Sequence, residues 1–125
     1  LQLSRSRGDD RWIEHLFPVS LGKARGRLPR TPLAPRRDLR PGTWVRQEVT
    51  VAGLDDNRVP AATEPARVDG PSLGRVEVMQ GGVMLSERPL RRGETYTVWS
   101  NAPRPTPREL AAAPARYPPA AERYV

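Results

Sequence analysis

The sequence predicts a mainly β domain, a β-sandwich or barrel-like sheet followed by one or two short C-terminal helical turns. Three observations predict it. Polar and apolar residues alternate, with β-branched enrichment, in "TWVRQEVTV", "GRVEVMQGGVMLS" and "ETYTVWS". Turn formers separate these runs: "GLDDNR", Gly81-Gly82 and "PLRRG". A well-formed helix start comes only after the last strand pattern, at Thr106. Hydrophobic positions that face opposite ways on successive strands fit two packed sheets.

Residues 1–41 are irregular in pattern. Trp12, Ile13, Leu16 and Phe17 share a face if the segment is helical, whereas "FPVSL" fits an edge strand equally well. Pro29, Pro32 and Pro35 recur at every third position, which favours an extended, polyproline-like course. This Arg/Pro-rich stretch is expected to wrap the domain or to be partly disordered. Residues 42–101 are expected to form the β-domain, and residues 102–125 a Pro-rich connector with a short helix.

Within the β-domain, "TWVRQEVTV" puts Val45, Val49 and Val51 on one face and Trp44, Arg46, Glu48 and Thr50 on the other. "ATEPARVDGP" is interrupted by proline, so an edge position is expected for it. "GRVEVMQGGVMLSERP" reads as a hairpin in which Gly81 and Gly82 form a two-residue loop. That loop sets Gln80 opposite Val83, Met79 opposite Met84 and Val78 opposite Leu85. Val76, Val78 and Leu85 then share the buried face. "ETYTVWS" points Tyr96, Val98 and Ser100 one way and Thr95, Thr97 and Trp99 the other, and ends at Asn101. Next, Thr106 is a helix N-cap, Pro107 occupies the first helical position and Glu109 completes a capping box. Pro114 limits that helix to about two turns. A second helical start falls at Pro119, with "AAERYV" as its first turn.

Composition narrows the chemistry. The 125 residues suffice for one modest core. The chain opens at Leu1 without a signal-peptide pattern. Val78 to Ser86, as long an uncharged stretch as the chain contains, is far short of the roughly 20 apolar residues a membrane helix needs. The expectation is a soluble piece of a longer protein. There is no cysteine, which excludes disulfides, thiolate zinc sites and cysteine nucleophiles. The net charge is +7, but residues 1–41 hold ten basic and four acidic side chains and residues 42–125 eleven and ten. The β-domain is therefore nearly neutral. Lys23 is the one lysine, and an Arg-for-Lys skew alongside so much Ala, Pro and Gly is what a GC-rich genome produces.

No catalytic, cofactor or metal site emerges. Gly70-Pro71-Ser72-Leu73-Gly74 matches G-x-S-x-G, but a strand pattern follows it where a hydrolase places a helix, and the single histidine, His15, precedes the serine. These residues read as a turn. His15 alone makes no zinc site. Asp55-Asp56-Asn57 lacks the spaced oxygens and distal Glu of a calcium loop. Asp9 and Asp10 lie among Arg5, Arg7 and Arg11 as a solvated charge cluster. Trp44, Tyr96, Trp99 and Tyr117 are stacking platforms on one reading and core or interface residues on the favoured one. Arg91-Arg92 reads as an exposed turn. There is no phosphate-binding loop and no dinucleotide fingerprint.

The exit segment carries a resemblance. Tyr96-x-Val98-x-Ser100, then "PRPTPREL" with an Ala-rich turn, then "ARYPP…ERYV", resembles the extracytoplasmic region of bacterial membrane-anchored transglutaminase-like proteins. The upstream "VRQEVTVAGLDDNRVPAATEPARV" resembles that family's middle strands, where a Q-x-V-x-V strand leads into a loop and a proline. The resemblance covers about Val45 to Val125. It implies a multi-pass membrane segment before this region and a papain-like core with a Cys-His-Asp triad after it. With no cysteine here, no triad residue carries over. The implied role is a non-catalytic structural domain that positions that core at the extracytoplasmic face of the membrane, on the cell surface or in the periplasm. Its expected partner is the core of the same chain, contacted through Trp99, Tyr117 and Tyr124. Membrane contact is expected only through other parts of the parent, and no cofactor or nucleic acid is implied. Two alternatives rest on other features: a small basic nucleic-acid-binding protein, from the net charge, and a small hydrolase built on Ser72.

Overall fold

Alternating side chains sort into nine strands and one short helix among the described residues of a computed structural model, which are 4–7, 11–14, 19–31, 34, 37–54 and 56–114. The strands are β1 (Ser4–Arg7), β2 (Arg11–Glu14), β3 (Ser20–Ala24), β4 (Gly26–Arg27), β5 (Trp44–Thr50), β6 (Glu64–Asp69), β7 (Val76–Met79), β8 (Met84–Ser86) and β9 (Thr95–Asn101), and the helix is α1 (Pro107–Ala111). β1 and β2 form an antiparallel ribbon with Ser4 opposite Glu14. Trp12 and Ile13 therefore lie on a strand and not on the short helix that their spacing also allowed. Asp9, Asp10, His15, Leu16 and Phe17 fall outside the described residues.

The other strands make two open antiparallel sheets, β3-β7-β8 and β4-β6-β9-β5, with no closed barrel. β3 and β4 are separated by Arg25 alone, so the Arg-rich third contributes an edge strand to each sheet. The inward residues of both sheets meet in one core. Val76, Val78 and Met84 come from the three-stranded sheet and Val68, Tyr96 and Val98 from the four-stranded one, with Leu28, Val51, Val59, Leu73 and Leu90 added from the connections. Burying each such side chain contributes about 1.5–3 kcal/mol. No helix among the described residues is long and apolar enough to cross a membrane.

β5 and β9 follow their alternation. Trp44, Arg46, Glu48 and Thr50 are exposed and Val51 is buried. Tyr96, Val98 and Ser100 point inward, and the Tyr96 hydroxyl donates to the Pro60 carbonyl at 3.0 Å. α1 carries the expected capping box, with Thr106 as N-cap and Pro107 in the first turn.

Two expectations are corrected. The hairpin register is one residue away from the expected one: Val78 faces Met84 and Glu77 faces Leu85. The turn is a residue longer, with Gly82 N–H donating to the Met79 carbonyl at 3.0 Å and Met79 N–H to the Val83 carbonyl at 2.8 Å. A one-residue slip turns every side chain of an arm over, so Met84 and Ser86 are buried while Leu85 is only half-buried on the opposite face. Second, β6 is a central strand and not an edge, lying between β4 and β9. Pro65 stands where the β6–β9 register shifts before Arg67, and outside the Arg67 and Val68 positions that β4 pairs. A bulge there accommodates a residue without an N–H.

Candidate functional site

The outward face of the four-stranded sheet concentrates its distinctive chemistry in one cross-strand row. Arg27 on β4 is opposite Arg67 on β6, Arg67 is opposite Trp99 on β9, and Trp99 is opposite Arg46 on β5. The Trp99 ring is flanked from both neighbouring strands, with the Arg67 guanidinium 5.3 Å and the Arg46 guanidinium 5.7 Å from its centroid. Each such cation–π contact is worth about 0.5–1 kcal/mol at an exposed site. Arg46 also pairs with Glu48 at 2.7 Å and Arg67 with Asp69 at 2.6 Å, so carboxylates neutralise much of the row's charge. Trp44 extends the aromatic surface along β5 and is 41 % exposed. Trp99 itself is half-buried among these groups. Tyr117 and Tyr124, the other two expected contact residues, lie outside the described residues.

The end of β9 is fixed from beneath by Asn101, which is fully buried. Its side-chain amide donates to the carbonyls of Asp38 at 2.8 Å and Thr43 at 3.3 Å, and its side-chain oxygen accepts from Asp38 N–H at 2.9 Å. Thr43 in turn accepts Ala102 N–H at 2.7 Å, so the first connector residue is held by the same loop. Arg40 extends this loop to the helix. Its guanidinium grips the Asp38 carboxylate and reaches Glu109 Oε1 at 2.8 Å. The other oxygen of Glu109 accepts Thr106 N–H at 2.7 Å. The Thr106 backbone and hydroxyl, then Arg40, hold the Glu109 carboxyl below its usual range. Hydrogen bonds from Arg40 lower Asp38 likewise. α1 buries none of its residues, and its cap bonds lie within the helix segment, so this ion pair rather than packing ties it to the β-domain.

The model of the TgpA N-terminal domain family matches residues 2–107. The chain belongs to that family. The match spans both sheets, the Trp99 row and the Asn101 anchor, and ends at the first residue of α1. It supports a transglutaminase-like parent, of which the TgpA N-terminal domain is not the catalytic part, in keeping with a cysteine-free chain. No curated protein and no solved structure gives a significant match.

The remaining motifs of this TgpA N-terminal domain have structural explanations. Ser72 is exposed in a turn between β6 and β7, without the following helix of a nucleophile elbow. A shallow hollow of about 320 Å³ beside it is lined by Arg25, Asp69, Gly70, Pro71 and Leu73. Gly70 serves close packing, since a Cβ there would come within 2.8 Å of the Tyr96 Cβ. Asp56 accepts from the Arg58 backbone at 3.2 Å and its guanidinium at 2.9 Å, which makes a turn. Asp55 is outside the described residues, and among those described no group of three or more His, Cys, Asp or Glu is placed to hold a metal.

Sequence reasoning missed two ionic features. Glu64 is buried on β6, with Arg37 Nε 3.5 Å and Arg30 Nε 3.7 Å from its carboxylate. Both arginines come from the stretch read as irregular, so no local pattern marked the pairing. Across the "PLRRG" turn, Glu94 accepts from Arg88 and from Arg91 N–H at 2.8 Å. Chiefly through Arg88, these hold its carboxyl down to about 2 from an ordinary 4.5. A carboxyl lowered in the folded state adds stability above its unfolded value and loses it as pH falls through the folded value. Stability is therefore expected to fall as pH drops from about 4.5 towards about 2. Glu94→Gln should flatten that decline, read as the urea midpoint against pH. An unchanged slope would remove Glu94 from the acid response.

Proposed function

We propose that this domain is a non-catalytic positioning module for a transglutaminase-like core that follows it in the parent chain. The parent is anchored in the membrane by parts outside this chain, and the module works at the extracytoplasmic face, on the cell surface or in the periplasm. One observation carries the reading: the exit from β9 is fixed at both ends of a short path, by buried Asn101 and by Arg40 on the capping box of α1. A free linker needs neither contact. A domain that sets the direction of the next one needs its exit held. The family match adds a transglutaminase-like parent, and the Trp99 row exposes Trp and Arg side chains, residue types enriched where proteins pack on a neighbour.

The module is expected to bury Trp99, with Tyr117 and Tyr124 contributing from the connector, when the core is present. A longer chain including the core should show a blue-shifted Trp99 emission, assigned by Trp99→Phe, and slowed amide exchange along β9 and around Tyr117. Emission and exchange identical with and without the core at both positions would refute the contact.

A further inference from the structure

The two sheets leave edges of different kinds. β4 is only two residues long, and β3 carries a register shift between Ser20 and Gly22. The outer side of β8 is covered by the segment of residues 57 to 59, through Ser86 N–H to the Asn57 carbonyl at 2.8 Å and Val59 N–H to the Met84 carbonyl at 2.9 Å. These are the usual ways of closing an edge to other chains. Among the described residues, β5 shows no such shortening, register shift or covering segment. It runs seven residues in unbroken register with β9, without proline, glycine or lysine.

Its unpaired groups can be assigned. Val51 donates to the Glu94 carbonyl and accepts from Gly93, and Thr43 accepts from Ala102, all towards the β9 side. In an antiparallel pair, alternate residues turn their N–H and C=O groups to the same side. The backbone groups of Trp44, Arg46, Glu48 and Thr50 therefore point away from β9, where no described strand pairs with them. The side chains of the same four residues are exposed.

We propose that β5 is a self-association edge, on which a second copy of this chain adds its own β5 antiparallel to form one continuous sheet. The charge pattern selects this occupant. Outward-pointing groups bond only to outward-pointing groups, so even positions must face even positions. A two-fold axis through Gln47 places Arg46 opposite the partner's Glu48, and Glu48 opposite the partner's Arg46. Trp44 then faces the partner's Thr50. Moving the axis to Arg46 or to Glu48 sets like charges directly opposite, which is unfavourable. The strand is thus self-complementary in one register. The Arg46–Glu48 pair that now closes within one strand at 2.7 Å has a cross-chain equivalent in that register. Such an interface is isologous, with the same patch used on both copies.

The test is light scattering coupled to size exclusion on the full chain across a concentration series. The wild type is expected to move from monomer towards twice that mass. Glu48→Pro removes an outward N–H and no β5–β9 rung, so it should hold the chain monomeric with an unchanged far-ultraviolet spectrum. Arg46→Glu and Glu48→Arg should each be monomeric, because each sets like charges face to face. Mixed in equal amounts, these two variants should pair, since both cross-chain contacts then become Glu–Arg. This arm needs no proline in the strand. A wild-type chain that stays monomeric at millimolar concentration, or a dimer indifferent to the charge swaps, overturns the proposal. So does a mixture of the two variants that fails to associate.

Discussion

Met84→Ala is expected to destabilise the domain by about 2–5 kcal/mol, while Leu85→Ala next to it should lose about 1 kcal/mol or less. Met84 is 2 % exposed and belongs to the core cluster with Val76, Val78 and Val98. Truncating it removes transfer energy and leaves a cavity between the two sheets. Leu85 is half-buried on the other face, opposite Glu77. The order of the two losses therefore reports the hairpin register directly. Urea unfolding with an unchanged slope measures both. A larger loss for Leu85→Ala would restore the two-residue loop and invert β8.

That register marks the boundary of what the sequence makes legible. β5 and β9 were readable because each alternates over seven residues, and the capping box because its residues are three apart. Those signals are local. In the hairpin the local signals are degenerate. Gly81 and Gly82 both take positive φ, 96° and 86°, and two adjacent glycines suit a two-residue loop as well as the observed turn. Met84 and Leu85 are both apolar, so either register offers a side chain to the core. What separates them is the fit of the opposing sheet and the bonds from Asn57 and Val59, which no spacing encodes. β3 and β4 were weak signals for a related reason. They are short and contain Gly22 and Gly26 at positive φ, and their partners β7 and β6 lie far along the chain. The Trp99 face was legible from alternation, but its flanking guanidiniums were not, because they depend on which strands pair with β9.

Asn101→Ala is the complementary experiment, with an expected loss of about 3 kcal/mol. It deletes three hydrogen bonds at a site with no solvent exposure. Unsatisfied buried groups cost about 1–3 kcal/mol each, and partial access of water at Asp38 keeps the total below the full sum. Asn101→Asp should be no better at neutral pH. It keeps an acceptor for Asp38 N–H but turns a carboxylate towards the Asp38 and Thr43 carbonyls, where the amide had donated. Lowering the pH should recover part of that second loss, because a protonated carboxyl donates again. The connector supplies a second readout. Ala102 N–H is bonded to Thr43, so Asn101→Ala should speed its exchange along with the loss of stability. Arg40→Gln should instead free α1, read at the Glu109 amide, with the unfolding midpoint near wild type, because its ion pair with Glu109 lies at the surface. If Asn101→Ala speeds exchange at Glu109 but leaves Ala102 protected, the exit is set by the helix and not by the sheet. The opposite pattern makes the direction of the following chain a property of β9 and the loop that Asn101 holds. In that case the helix prolongs an orientation already fixed before its first turn.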